Sequence, residues 1–144
     1  MQFNSTEKLR HNVSHEIKKI LIADYEELII ASLYNALQKK RVEVKTCNEF
    51  EQVVDAIITT RYDLFITDIC MLGIRVFKGL ELLGFIKRHF CSEVIVMSGY
   101  SWRESETELC RLNGLNYINK PLNIKEVMTI CERINIPIKE YLLW

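Results

Sequence analysis

The sequence predicts an α/β domain with a parallel sheet covered by helices on both faces, and three observations lead there. Strand-like and helix-like segments alternate five times along 144 residues. The strand-like runs are rich in β-branched residues, and the fourth is almost continuously apolar, as a strand buried on both faces must be. Hydrophobic residues make up 49% of the chain, enough to build one core and too many for a disordered polymer.

The first strand is KILIAD (19–24), ending on Asp24. It is followed by a helix over 26–40, in which Ile29, Leu33 and Leu37 recur at four-residue spacing. VEVKTC (42–47) alternates like a half-buried strand, and 49–60 reads as a helix presenting Phe50, Val53, Val54 and Ile57 on one face. LFITD (64–68) is the third strand and ends on Asp68; a third helix is expected over 79–90. EVIVMS (93–98) is the fourth strand. The helix after it, over 101–113, is predicted to open on a Ser101/Glu104 capping box and to stop before Gly114. NYIN (116–119) is a short fifth strand. The last helix, 123–134, opens with Asn123 and Glu126 at cap spacing and repeats Val127, Ile130, Cys131 and Ile134.

In such a sheet, ligands gather beyond the carboxyl ends of the strands near the topological switch point. Asp24 and Asp68 close the first and third strands, Ser98 closes the fourth, and the fifth runs into Lys120. Aspartate is disfavoured inside strands and costly to bury unpaired, so an acid at the end of an apolar run needs a reason. Taken singly, each of these residues reads as a turn former, a cap or a solvated charge. Two acids, a hydroxyl and an ammonium converging on one sheet edge read as a site. Paired carboxylates without a histidine or cysteine partner suit a hard cation such as Mg²⁺, which shares its oxygens with phosphate. A carboxylate in that setting can attack phosphorus and become an aspartyl phosphate, with Lys120 and Ser98 contacting the transferred oxygens.

Composition narrows the alternatives. With 19 basic and 19 acidic residues the formal net charge is zero, so no electrostatic footprint for nucleic acid or an anionic membrane is present. Lys18-Lys19 and Lys39-Lys40-Arg41 read as solvated element ends. The five cysteines, Cys47, Cys70, Cys91, Cys110 and Cys131, lack metal-ligand spacing and fit reduced thiols in a cytoplasmic protein; Cys110 and Cys131 fall in helical patterns as core thiols. No apolar run reaches membrane-spanning length, and the first 19 residues carry no apolar signal segment.

The ordered set of motifs resembles the receiver domain of two-component response regulators. KILIADYEEL resembles that family's first strand with its acidic pair, and DLFITDICMLG its third strand with the phosphoacceptor aspartate. VIVMSG resembles the fourth strand with its switch hydroxyl, and GLNYINKPLNIKEV the fifth strand with its switch aromatic and Lys-Pro pair. The likeness spans roughly residues 18–134, leaving 1–17 as an N-terminal arm and 135–144 as an apolar tail. It implies a flavodoxin-like sheet in the order 2-1-3-4-5. Asp68 would be the phosphoacceptor, Ser98 the switch hydroxyl, Tyr117 the switch aromatic and Lys120 the phosphoryl-binding ammonium. Asp24, Asp68 and the Cys70 backbone carbonyl would hold Mg²⁺, and a cis Lys120-Pro121 bond follows from the same resemblance.

The chain departs from the pattern in three places. Tyr25 stands at the second acidic position, which implies a weakened Mg²⁺ site, with Glu26 either a substitute ligand or a first-turn helix acid. Leu72 replaces the usual proline, and GIRVFKG is about three residues longer than expected before the third helix. The functional expectation is a stand-alone receiver that catalyses its own phosphorylation and dephosphorylation and has no turnover substrate. Its partners would be a sensor histidine kinase or phosphotransfer protein, a downstream protein target on the fourth-helix, fifth-strand, fifth-helix face, and a second copy in a homodimer. Neither nucleic acid nor membrane is an expected partner, and a DNA-binding output domain is not expected. The alternative is a pseudo-receiver, an interaction module that keeps the fold and has lost efficient metal-dependent phosphorylation.

Overall fold

The structure, a computed structural model, describes residues 17–137. The expected arm therefore lies almost wholly outside the described residues, as does the tail from Ile138 onward. Five strands, β1 (Lys18–Ala23), β2 (Val42–Cys47), β3 (Leu64–Asp68), β4 (Glu93–Ser98) and β5 (Asn116–Asn119), form one sheet in the order β2-β1-β3-β4-β5. Every pairing is parallel, with Ile22 beside Ile66 and Thr67 beside Val96 at the centre. Five helices connect and cover it: α1 (Glu27–Leu37), α2 (Phe50–Thr59), α3 (Val76–Phe90), α4 (Glu104–Leu112) and α5 (Ile124–Arg133). The predicted flavodoxin-like order is the observed one.

Alternation along each strand sorts the core into two layers. Ile20, Ile22, Leu64, Ile66, Ile95 and Met97 face α1 and α5, where Leu33, Leu37, Val127, Met128 and Cys131 meet them. Leu21, Phe65, Val94 and Val96 face the other side and pack against Val53 and Ala56 of α2, Leu80, Leu83 and Ile86 of α3, and Cys110 of α4. Ile136, from the expected tail, is buried in the first layer. Cys110 and Cys131 are core thiols, as expected, and burial raises their pKa to about 11 and about 12.

Three local expectations are corrected. The second helix buries Val53 and Ala56, with Ile57 partly covered, while Phe50, Val54 and Ile58 form an outward apolar row. The short alanine, which a hydrophobic-run reading discounts, faces the sheet. The third helix begins at Val76, three residues earlier than expected, so half of the seemingly long GIRVFKG segment is helix. Upstream of it, a 3₁₀ turn (Ile69–Leu72) closes on Gly73, whose φ of +64° is a left-handed conformation that favours glycine. The capping box falls two residues later than predicted: Glu106 Oε1 accepts from the Arg103 N–H at 2.8 Å, and the helix starts at Glu104. Asn123, by contrast, caps α5 as expected, accepting from the Lys125 N–H at 3.0 Å.

The α3–α4 contact depends on a missing side chain. A Cβ added at Gly84 would lie 2.1 Å from Asn113 Oδ1 and 2.8 Å from Asn113 Cβ. Asn113 cannot withdraw without cost, because its Nδ2 donates to Leu109 O and its Oδ1 accepts from Arg88. Gly84→Ala is therefore expected to destabilise the domain by about 1–3 kcal/mol, an overpacking cost that outweighs the gain in helix propensity. Chemical denaturation checks this; a variant as stable as the parent would show that the helices separate freely.

Candidate functional site

The carboxyl ends of β1, β3, β4 and β5 bring the expected residues together. Asp24 follows β1 directly and is 1% exposed; Asp68 closes β3 and is 6% exposed. Each acid is fixed in the same way. Asp24 Oδ1 accepts from the Glu26 N–H at 2.8 Å, and Asp68 Oδ1 from the Cys70 N–H at 2.6 Å, so the backbone two residues on immobilises one oxygen of each. The other oxygens turn to a single cation. Lys120 Nζ lies 2.8 Å from Asp24 Oδ2, 2.7 Å from Asp68 Oδ2 and 3.3 Å from Glu26 Oε2.

Lys120 follows the end of β5 directly, which places it at the carboxyl edge of the sheet; the Lys120-Pro121 bond is cis, as the resemblance implied. Burial alone would lower the amine's pKa; the two aspartates beside it outweigh that and hold it above the ordinary lysine range. Counting formal charges, three carboxylates and one ammonium leave the pocket with an excess of two negative charges.

Glu26 stands at the start of the first helix. It is the N-cap residue of α1, makes no side-chain bond to that helix, and turns its carboxylate to Lys120 instead; the first-turn acid is Glu27. Tyr25 is 57% exposed, on the solvent side of the turn. Glu26 reaches Lys120 from the exposed rim of the pocket, with its side chain 61% exposed.

Of the remaining expected residues, Ser98 and Tyr117 lie on β4 and β5, and Cys70 lies in the turn after β3. Ser98 is fully buried, and its hydroxyl is engaged with the backbone of Tyr100: it donates to Tyr100 O at 2.9 Å and accepts from Tyr100 N–H at 3.2 Å. Tyr117 is half-buried, edge-on to Trp102 with ring centroids 6.2 Å apart. The Cys70 carbonyl accepts from Gly73 N–H at 3.2 Å, closing the 3₁₀ turn and leaving its second lone pair for another partner. Burial, and then the negative charge of Asp68, raises the Cys70 thiol pKa. The Tyr100 phenol is raised by burial first and by Glu106 second.

Asn119, Trp102 and Glu106 were not singled out by sequence reasoning. Asn119 Nδ2 donates to Tyr100 O at 2.7 Å, Trp102 Nε1 to Ile118 O at 3.0 Å, and Glu106 holds the end of the same loop. No periodicity marks such residues, since their roles arise from loop contacts across β4 and β5.

Hard anionic oxygens and one carbonyl fit a magnesium ion better than any softer metal. Asp24 Oδ2 is buried, and its one charged neighbour among the described residues is the Lys120 ammonium at 2.8 Å. That oxygen has capacity for a cation. Among the described residues no three acidic, histidine or cysteine side chains form a ready-made metal cage, and Lys120 is the cation these oxygens already share.

A five-stranded parallel sheet covered on both faces, in the order β2-β1-β3-β4-β5 and with buried acids and a lysine at its carboxyl edge, defines a flavodoxin-like α/β fold of the CheY-like kind. The chain belongs to the response regulator receiver domain family, whose family model matches residues 20–132. The nisin biosynthesis regulatory protein NisR of Lactococcus lactis is 28% identical over 81% of this chain; the chain spans about half of that regulator, 49% of its length. Among solved structures, a CheY-like response regulator receiver domain protein from Methanospirillum hungatei matches with a TM-score of 0.68 and 24% identity, over 83% of this chain and 95% of that one. A response regulator protein from Burkholderia pseudomallei, solved with a phosphorylated aspartic acid, calcium ion and citrate, matches with a TM-score of 0.63 and 18% identity, over 78% and 65%. At these identities the structural likeness is one of fold. Receiver domains of this family interact with histidine kinases or phosphotransfer proteins. Among the described residues no helix is long and apolar enough to cross a membrane.

Proposed function

We propose that this receiver accepts a phosphoryl group on Asp68 from a phosphohistidine of a sensor kinase or phosphotransfer protein, and signals through its β4–α4–β5 surface. The observation that carries the reading is the single ammonium of Lys120, held within 2.8 Å of both buried aspartates. Asp68 Oδ2, the oxygen not tied to the backbone, would attack phosphorus. The new O–P bond forms as the P–N bond to the donor imidazole breaks, and the imidazole leaves with the electron pair. Lys120 then pairs with a phosphoryl oxygen, and the backbone N–H of Cys70 keeps the attacking carboxylate oriented.

Asp24, Asp68, Glu26 and the Cys70 carbonyl would hold Mg²⁺, which supplies charge neutralisation for the incoming phosphate. The phosphorylated aspartate of the Burkholderia pseudomallei regulator supports this chemistry on the same fold. The test is incubation with acetyl phosphate and Mg²⁺, read by intact mass. An acid-stabilised, base-labile adduct is expected; its absence under conditions that load an ordinary receiver would favour the pseudo-receiver alternative.

Tyr25 sets how strongly the ion binds. A phenol with a reference pKa of about 10 gives no anionic oxygen at neutral pH. The ring also points to solvent, so Glu26 must reach in from a position one residue further along. Tyr25→Asp is expected to tighten Mg²⁺ binding by about tenfold, roughly 1.4 kcal/mol. Calorimetric titration measures it. Equal affinity in the variant would mean that Glu26 already supplies the full ligand.

A further inference from the structure

The chain leaves α5 in a defined direction. Asn135 is left-handed, with φ +64°; its N–H donates to Glu132 O at 3.2 Å, and the Ile136 N–H donates to Cys131 O at 2.8 Å. Those two bonds make a Schellman motif, which turns the chain off the helix axis. Ile136, just past the turn, is buried in the layer that holds Leu37 and Val42, so the chain is drawn toward the sheet. Pro137 follows. Residues 138–144, IKEYLLW, continue from that anchored point and lie outside the described residues. Five of the seven are apolar or aromatic: Ile138, Tyr141, Leu142, Leu143 and Trp144. A groove of about 490 Å³ lies at the β2 margin of the sheet, lined by Tyr34 and Gln38 of α1 and by Val42 and Val44 of β2, with Lys19 and Lys45 adding positive charge. Val42 belongs to the layer of Ile136, and Val44 packs against it. β2 has a strand neighbour on one side only. The carbonyls of Arg41 and Cys47 turn to β1, so by strand alternation Val44 and Thr46 carry their backbone N–H and C=O groups on the open side.

We propose that residues 138–144 pass the C-terminal end of α1 and fill this groove, with Leu142 and Trp144 against Tyr34, Val42 and Val44. The segment is long enough: at ordinary strand spacing the sheet is about 10 Å wide from β3 to β2, and seven extended residues reach about 23 Å. Its chemistry fits the groove. The apolar side chains meet two valines and a tyrosine ring that is otherwise 36% exposed, and Glu140 faces a rim that carries Lys19 and Lys45. Docking also covers the open edge of β2, whose outward backbone groups would otherwise be free to template another chain. The occupant is the chain's own segment and not that of a second copy, because Ile136 tethers it beside the groove at an effective concentration in roughly the millimolar range. The contact lies at the amino-terminal margin of β2, away from the carboxyl-edge pocket, and does not depend on the state of Asp68.

The chain has two tryptophans, Trp102 and Trp144, so the full chain labelled with 5-fluorotryptophan gives two ¹⁹F signals, and Trp144→Phe assigns them by the loss of one. The Trp144 signal is expected away from its position in urea-unfolded protein, with a reduced shift between H₂O and D₂O. Tyr34→Ala should return it toward the unfolded position and leave the Trp102 signal in place. Leu112→Ala, at an exposed apolar residue on the end of α4, should leave the Trp144 signal unmoved. A parent Trp144 signal at the unfolded position overturns the proposal. So does a signal that Tyr34→Ala does not move, or that Leu112→Ala moves as far. A shift lost on dilution overturns it too, because the groove would then hold the segment of a second copy. Should Tyr34→Ala lose cooperative melting, p-benzoylphenylalanine at position 144 of the otherwise unchanged chain decides. Photocrosslinks to residues 34–44 of the same chain support the docking, and crosslinks elsewhere or between chains overturn it.

Discussion

Asp68→Asn is expected to reduce phosphoryl incorporation from acetyl phosphate to background while leaving the fold intact. The amide has no anionic oxygen to attack phosphorus, yet its carbonyl can still accept the Cys70 N–H that Asp68 Oδ1 accepts at 2.6 Å. The backbone turn is therefore preserved, and the substitution removes one of the three carboxylates around Lys120. Loss of the nucleophile is an all-or-none effect, which intact mass spectrometry resolves directly. An adduct that persists unchanged in the variant would place the chemistry on another residue, with Asp24 and Glu26 the first to test.

Lys120→Met is expected to have two effects. The first is on stability. Methionine fills much of the space of the lysine stem but leaves Asp24 and Asp68 buried together without their cation. The pocket opens to water at the sheet edge, so the cost is that of unsatisfied charged groups partly rehydrated, about 1–3 kcal/mol. The second is on phosphoryl transfer, which loses its positive contact and should slow by about a hundredfold or more. The pH dependence has a defined sign. Although burial alone would depress the Lys120 amine, its two aspartates hold it above the ordinary lysine range. A raised folded-state value means that its contribution is fully present below the unfolded value of about 10.4 and is lost as pH rises through the folded one. The stability gap between wild type and variant should therefore be flat from about pH 7 to 9 and close only in strong alkali. Denaturant melts of both proteins across that range test the sign. A gap that closes already near neutrality would mean that the amine is not held charged by these acids.

Much of the fold was legible because its signals are local and redundant. The five strands end where apolar runs end, and the acids at 24 and 68 mark the functional edge through their incongruity in β sequence. Where reading failed, the missing information was tertiary. Phe50 and Val54 look like core residues at helical spacing, but the sheet takes Val53 and Ala56 instead, since the helix phase is set by its docking. The start of α3 at Val76 had no capping side chain to announce it; Arg75 makes no cap bond. The contact of Glu26 with Lys120, 94 residues away, has no local signal in the sequence. The loop held by Ser98, Asn119 and Trp102 was invisible for a related reason. Its bonds run between side chains and backbone carbonyls of elements that are adjacent in space only.

The pocket's positive charge is attached to the most peripheral part of the sheet. β5 is four residues long, has a single strand neighbour, and delivers Lys120 from its end. Local openings cost less free energy than global unfolding, and fewest contacts hold the elements at the margin of a sheet. An opening of β5 would withdraw the ammonium and leave three carboxylates facing one another, so the charge balance at the centre of the domain depends on the order of its rim. By reciprocity, whatever neutralises the acids independently of Lys120 relaxes the demand that β5 remain docked, and whatever binds and orders β5 from outside retains the ammonium in the pocket. The edge strand and the acidic centre are thus linked in both directions across β4.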